Sequence, residues 1–90
     1  MLETIKKALR VSHDRLDDDI QLNIDAAMYD MNRVGIDISD GTNPLVIKCT
    51  ELYCKWIYNY NERADEWYKA YEKLRNAMAL CREYREKSNE

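Results

Sequence analysis

Apolar residues recur along this chain at intervals of three and four, and no segment keeps a period of two. That rhythm lays one face of an α-helix against a core, so it predicts helices and no strand. A short first helix is expected over about Glu3 to Leu9, with Ile5, Ala8 and Leu9 as its apolar face. Val11-Ser12-His13 reads as a break. The second helix begins at about Asp14 or Leu16 and runs to Val34, with Leu16, Ile20, Ile24, Ala27, Met31 and Val34 on one stripe. Ser12 or Asp14 is placed to cap its start, where backbone N–H groups lack helical partners. Asp17, Asp18 and Asp19 lie in its first turns, where the positive end of the helix dipole favours carboxylates. Gly35 stands just past its end, a position that commonly takes a left-handed residue.

Residues 35–43 form the one substantial loop, and Ser39-Asp40-Gly41 in it is turn chemistry. Ile36 and Ile38 are apolar in this polar stretch, so one or both are expected to tuck against the bundle or a neighbouring subunit. Asn43 as cap and Pro44 at the first helical position start the third helix, which is read to about Tyr60. Leu45, Cys49, Leu52, Trp56 and Tyr60 give one face, and Val46, Tyr53 and Ile57 widen it enough for burial on two sides. Asn61 is the expected cap of a fourth helix running from about Glu62 to Tyr84 or beyond. Ala64, Trp67, Tyr71, Leu74, Met78 and Cys81 keep a coiled-coil-like seam along it. Glu62, Asp65 and Glu66 open that helix and Arg82, Arg85 and Lys87 close it, both favourable to the dipole, while residues 86–90 are expected to fray. The fold class is therefore all-α: a small antiparallel bundle of one short and three longer helices in a single domain over residues 1–90.

Composition narrows the picture. A chain of 90 residues buries only roughly 60–65% of its unfolded surface, so association with other copies is a natural source of stability. With 46% hydrophobic residues, two Gly and one Pro, collagen-like and disordered classes are excluded. No apolar run approaches the roughly 20 residues that span a bilayer, and the start lacks the apolar core of a signal peptide. A cytoplasmic place, or assembly there, is the expectation. The net charge of −3 is uneven: residues 1–13 carry +2, 14–43 carry −6 and 44–90 carry +1. That distribution lacks the concentrated basic footprint of a non-specific duplex binder and suits charge-complementary contact between subunits.

Candidate chemistry is sparse. Cys49, Cys54 and Cys81 are an odd set without a secretion signal, and His13 is the only histidine, so buried reduced thiols are expected and a zinc site is not. Three consecutive helical residues point in three directions, so Asp17, Asp18 and Asp19 do not converge on one ion; they remain as cap, dipole or acidic contact residues. His13 beside Asp14 has no placed nucleophile, which favours a capping or surface role. Loop 37–43 lacks the closing Glu of a calcium loop and the Gly-Lys-Ser/Thr of a phosphate loop. Trp56, Trp67 and Tyr71 fall on the seams and are assigned to the core. Tyr29, Tyr58, Tyr68 and Tyr84 fall off them, where amphipathic rings suit an interface. Residues 73–87 carry +3, a patch able to meet the acidic 14–43 segment of another copy. No catalytic residue, cofactor or metal is expected, and the chain is not read as an enzyme.

The layout itself carries a resemblance. Leu9-Arg10-Val11, His13-Asp14, Leu16-Asp17-Asp18-Asp19-Ile20 and Ile24-Asp25-Ala26-Ala27 are followed after the loop by Asn43-Pro44-Leu45 and Tyr53-Cys54. Cys81-Arg82-Glu83-Tyr84-Arg85 closes the series. In order and spacing this resembles the head–tail connector (adaptor) proteins of tailed bacteriophages, also labelled DNA-packaging proteins, over about Leu2 to Arg85. The resemblance implies a helical subunit of a virion ring beneath the portal. The ring extends the DNA channel, does not bind the DNA specifically, and presents a face to a tail or stopper protein. It implies no catalytic residue. Candidate self-association residues are Tyr29, Ile36, Ile38, Tyr58 and Tyr68, with Asp17, Asp18 and Asp19 and the basic Arg75, Arg82 and Arg85 as complements. The alternative is a small helical regulatory or adaptor module that dimerises through its long C-terminal helix.

Overall fold

The three-four rhythm resolves, in a computed structural model describing residues 1–85, into four α-helices. They are α1 (Leu2–Leu9), α2 (Asp17–Arg33), α3 (Pro44–Ile57) and α4 (Ala64–Leu80), with short 3₁₀ turns at Tyr60–Glu62 and Arg82–Tyr84. There is no strand among the described residues, only an isolated antiparallel bridge between Ile36 and Arg85.

The helix ends follow local chemistry in most places. Arg10 takes the left-handed conformation (φ 58°) that closes α1, and Val11 N–H reaches back to the Lys6 carbonyl at 2.9 Å. Gly35 (φ 96°) closes α2 in the same way, with Ile36 N–H on the Met31 carbonyl at 3.0 Å. Asn43 Oδ1 accepts the Leu45 N–H at 3.0 Å and Pro44 opens α3, as the sequence predicts.

Three boundaries differ from the sequence reading. Neither Ser12 nor Asp14 caps α2: Leu16 occupies the cap position without a side-chain bond, because the chain first makes a turn in which the Asp14 carbonyl accepts Asp17 N–H at 3.2 Å. Asn59, not Asn61, serves the start of α4. α3 stops at Ile57, Asn59 turns left-handed (φ 49°), and its Oδ1 accepts Ala64 N–H at 3.1 Å. Asn61 is itself left-handed (φ 53°) within the connection. Finally, α4 ends at Leu80, since Cys81 is extended (ψ 121°). The chain then folds back so that the Tyr84 carbonyl accepts Asp37 N–H at 2.8 Å. Arg82 and Arg85 thus lie beyond α4, whose last turn holds no basic residue, and they do not complement its dipole. Lys87 and the expected fraying of residues 86–90 lie outside the described residues.

The helices pack as an antiparallel bundle with α3 in the centre. Tyr58 at the end of α3 meets Asn23 near the start of α2, and Thr50 meets Met28. On the other side Tyr53 meets Tyr71 and Trp56 meets Tyr68 of α4. Two apolar clusters result. Ala27, Met31, Ile36, Val46, Cys49, Tyr71 and Met78 form one, joining α2, α3, α4 and the loop. Ile5, Leu9, Ile20, Ile24 and Cys54 form the other beneath α1. Met28 and Tyr53 touch both, so α3 is covered on two sides, as its wide stripe predicts. The buried Thr50 hydroxyl is satisfied by the Val46 carbonyl at 2.8 Å.

Candidate functional site

The acidic run shows how helix geometry distributes three neighbouring side chains. Successive residues are about 100° apart on a helix, so Asp17, Asp18 and Asp19 take three surroundings. Asp17 pairs with the buried Lys6 of α1 at 2.7 Å, and that bond holds the Lys6 ammonium above its ordinary pKa. Asp19 accepts the Tyr58 hydroxyl of α3, while Asn23 Nδ2 donates to the same hydroxyl at 3.0 Å. Burial, and then the bond to Asp19, push the Tyr58 phenol up to about 12. Asp18 and Asp19 are both exposed, and Asp18 alone of the three has neither an ion pair nor a side-chain hydrogen bond among the described residues. Two of the three acids are therefore spent in fastening α2 to its neighbours.

A second polar centre lies where sequence reading placed none. Asp30 on α2 accepts the Tyr71 hydroxyl at 2.6 Å and Arg75 Nη1 at 2.8 Å, both from α4, and Arg33 Nη2 at 2.8 Å from its own helix. Burial works to raise the Asp30 carboxyl, but these donors outweigh it and hold the group down at about 2. Burial also disfavours the Arg75 charge, and the bond to Asp30 more than restores it. Arg75 thus ties α4 to α2 within the chain. No local motif announces this, since Asp30 is 41 and 45 positions from its α4 partners.

Of the remaining candidates, Ile36 has no exposed surface and is removed from the outer face: it completes the cluster between α2, α3 and α4. Ile38 packs half-buried against the same cluster. Tyr68 leans on Trp56 at 4.6 Å and donates to Glu72 at 2.9 Å, and it remains 38% exposed. Arg82 and Arg85 are exposed. Tyr29 is 74% exposed. Tyr71 is buried as assigned, whereas Trp56 and Trp67 are half-buried at the edge of the α3–α4 seam. Trp67 Nε1 donates to the Tyr60 carbonyl at 2.7 Å, and Lys55 Nζ lies 4.8 Å from its ring centre. Tyr84 is half-buried against the main cluster. The seam of α4 therefore packs largely within the chain, with Tyr71 and Met78 buried and Trp67, Leu74 and Cys81 half-buried.

The other chemistry-bearing groups are placed as structure. Burial pushes the Cys49 and Cys54 thiols up to about 12, while Cys81 is half-buried. His13 is exposed, and its Nδ1 accepts Arg15 N–H at 3.3 Å. Asp37 and Asp40 turn the loop by accepting Ser39 N–H and Thr42 N–H, each at 2.9 Å. Among the described residues no cluster of three or more His, Cys, Asp or Glu side chains is close enough to hold a metal ion. No described helix is long and apolar enough to cross a membrane.

Two exposed leucines escaped the sequence reading: Leu22, 66% exposed, and Leu80, 87% exposed. Each falls off the core stripe of its helix, and a search for apolar residues on the polar side would have found both. Leu22 and Tyr29 are seven residues apart, hence on one side of α2, opposite Ile20, Ile24, Ala27 and Met31. This outward apolar pair, with acidic neighbours, is the candidate site that the geometry leaves for a partner.

No curated protein and no solved structure matches the chain. A family model, described as phage connector protein, matches residues 1–85, essentially every residue that builds the bundle and its outward faces. The chain accordingly belongs to the phage connector protein family.

Proposed function

We propose that the chain is the structural subunit of a head–tail connector, in which copies form a ring that docks on the phage portal and extends the channel through which DNA passes. The observation that carries this reading is the family match over residues 1–85. In this reading the protein sits at the head–tail interface of the virion, with one face toward the portal and another toward a tail or stopper protein. It performs no catalysis and uses no cofactor. A net charge of −3 supports passage of DNA without tight capture, since tight non-specific binding needs a concentrated positive surface. The exposed Leu22, Tyr29 and Leu80 support contact with protein partners, because large apolar side chains in water favour burial in an interface.

Electron microscopy of cognate portal particles mixed with the chain tests the proposal. An added ring of density on the portal is expected. Portals that stay bare at saturating chain overturn it.

A further inference from the structure

The outward faces of α2 and α4 have complementary contents. On α2, Asp18, Leu22, Asp25 and Tyr29 share the side away from the core, and all four are exposed. On α4, the side away from Tyr71 and Met78 carries Lys69, Lys73 and Leu80, also exposed. One face is acidic and apolar, and the other is basic and apolar. Among the described residues none of these two acids and two lysines is in an ion pair, although Asp25 accepts Gln21 Nε2 at 2.9 Å.

The order along the two helices also matches. Asp18 precedes Tyr29 by eleven residues and Lys69 precedes Leu80 by eleven. Eleven residues are about three turns, or ~16 Å, so each pair lies on one side of its helix at the same separation. Two such helices laid parallel set Asp18 beside Lys69 and Tyr29 beside Leu80, with Lys73 level with Leu22 and about 4.5 Å along the axis from Asp25, within reach of its long side chain. Of the wrong-sign charges nearby, Arg33 holds Asp30 at 2.8 Å and Glu66 lies 3.7 Å from Arg63, while the exposed Asp65 precedes Lys69 by one turn and so falls beyond the end of the contact.

We propose that the α2 face of one copy docks on the α4 face of the next, Asp18, Leu22, Asp25 and Tyr29 against Lys69, Lys73 and Leu80. The occupant of each face is a second copy of this chain. The contact is head-to-tail, because the two faces differ, and such a contact closes into a ring when its rotation allows. Parallel docking is what a rotational assembly offers: α2 and α4 each run antiparallel to α3, so they are parallel to each other within the subunit. Closure inclines the helices to the ring axis, since within one chain Asp30 already stands level with Tyr71 and Arg75. Ring closure rests on the connector reading above; the pairing of the two faces rests on their own chemistry.

A charge swap tests the pairing, read as ring density on portal particles and by sedimentation of the chain. The variants are D18K/D25K, K69E/K73E and their equal mixture, with circular dichroism to confirm that each folds. Each variant alone sets like charges across the contact and should lose ring occupancy about tenfold or more. The mixture should regain it, because the basic α2 of one variant meets the acidic α4 of the other. Rings of wild-type occupancy from either variant alone, or a mixture that stays without rings, overturn the pairing and leave the connector reading intact. Wild-type chain that forms no ring on the portal overturns the connector reading, and sedimentation of the chain with the same charge swaps then decides the pairing by itself.

Discussion

Asp30 is the residue on which the α2–α4 attachment turns. Its carboxylate takes donors from Tyr71, Arg75 and Arg33, and replacing it with Asn leaves the half-buried Arg75 without a charged partner. Loss of such a partner costs about 1–3 kcal/mol, so Asp30→Asn should lower the unfolding free energy by that order at neutral pH, measured by urea titration. The pH dependence has a definite sign. The folded carboxyl, at about 2, lies below its ordinary value of 3.8, so its stabilisation is complete above the ordinary value and fades as pH falls toward 2. The gap in stability between wild type and Asp30→Asn should therefore shrink between about pH 4 and pH 2. A gap that stays constant over that window would remove Asp30 from its assigned role.

Single elements are held largely by their ends. Asn43 accepts the Leu45 N–H and Pro44 presets the first turn of α3, the helix that touches all the others. Asn43→Ala removes the side-chain acceptor and should destabilise by about 1 kcal/mol, read from the thermal midpoint. Arg10 ends α1 in a left-handed conformation (φ 58°) that costs a non-glycine residue about 1 kcal/mol. Arg10→Gly should therefore raise the unfolding free energy by about 0.5–1 kcal/mol, read as a higher thermal midpoint. At this scale much was legible in the chain. Asn43-Pro44, Gly35 and the stripes act over a few residues, so α1, α2 and the start of α3 are found almost where the pattern puts them. The end of α4 was not legible, because its seam continues through Cys81. Past Leu80 the chain instead folds back on the loop after α2, where the Asp37 N–H donates to the Tyr84 carbonyl.

For the molecule as a whole, the loop closes the core. Ile36 is fully buried with Ala27, Met31, Val46, Cys49, Tyr71 and Met78, and it bridges to Arg85 through the backbone. Ile36→Ala should cost about 2–4 kcal/mol and loosen the fold-back of residues 82–85 together with the main cluster. Amide exchange at Asp37 would report that loosening, and exchange unchanged from wild type would contradict it. The outward apolar residues should behave oppositely. Leu80→Gln leaves the bundle untouched, since Leu80 is 87% exposed and Gln adds no charge at the end of α4, and should shift folding stability by no more than about 0.5 kcal/mol. A large thermal shift in that variant would mean that Leu80 serves the fold rather than a partner.

By itself, the sequence determined an all-α chain, its helix count, the cap at Asn43-Pro44 and the reversal at Gly35. Each of these is a contest among neighbouring residues, settled by hydrogen bonds and φ angles within a turn or two. Only the tertiary structure decided which charged and aromatic side chains were still free. Asp17, Asp19, Tyr58 and Arg75 look equally available along the chain, yet each meets a partner on another helix, brought near by burial of apolar stripes. Leu22, Tyr29 and Leu80 remain outside for the complementary reason: on a helix with one core face, a residue roughly half a turn away points away from the apolar clusters that the described residues form.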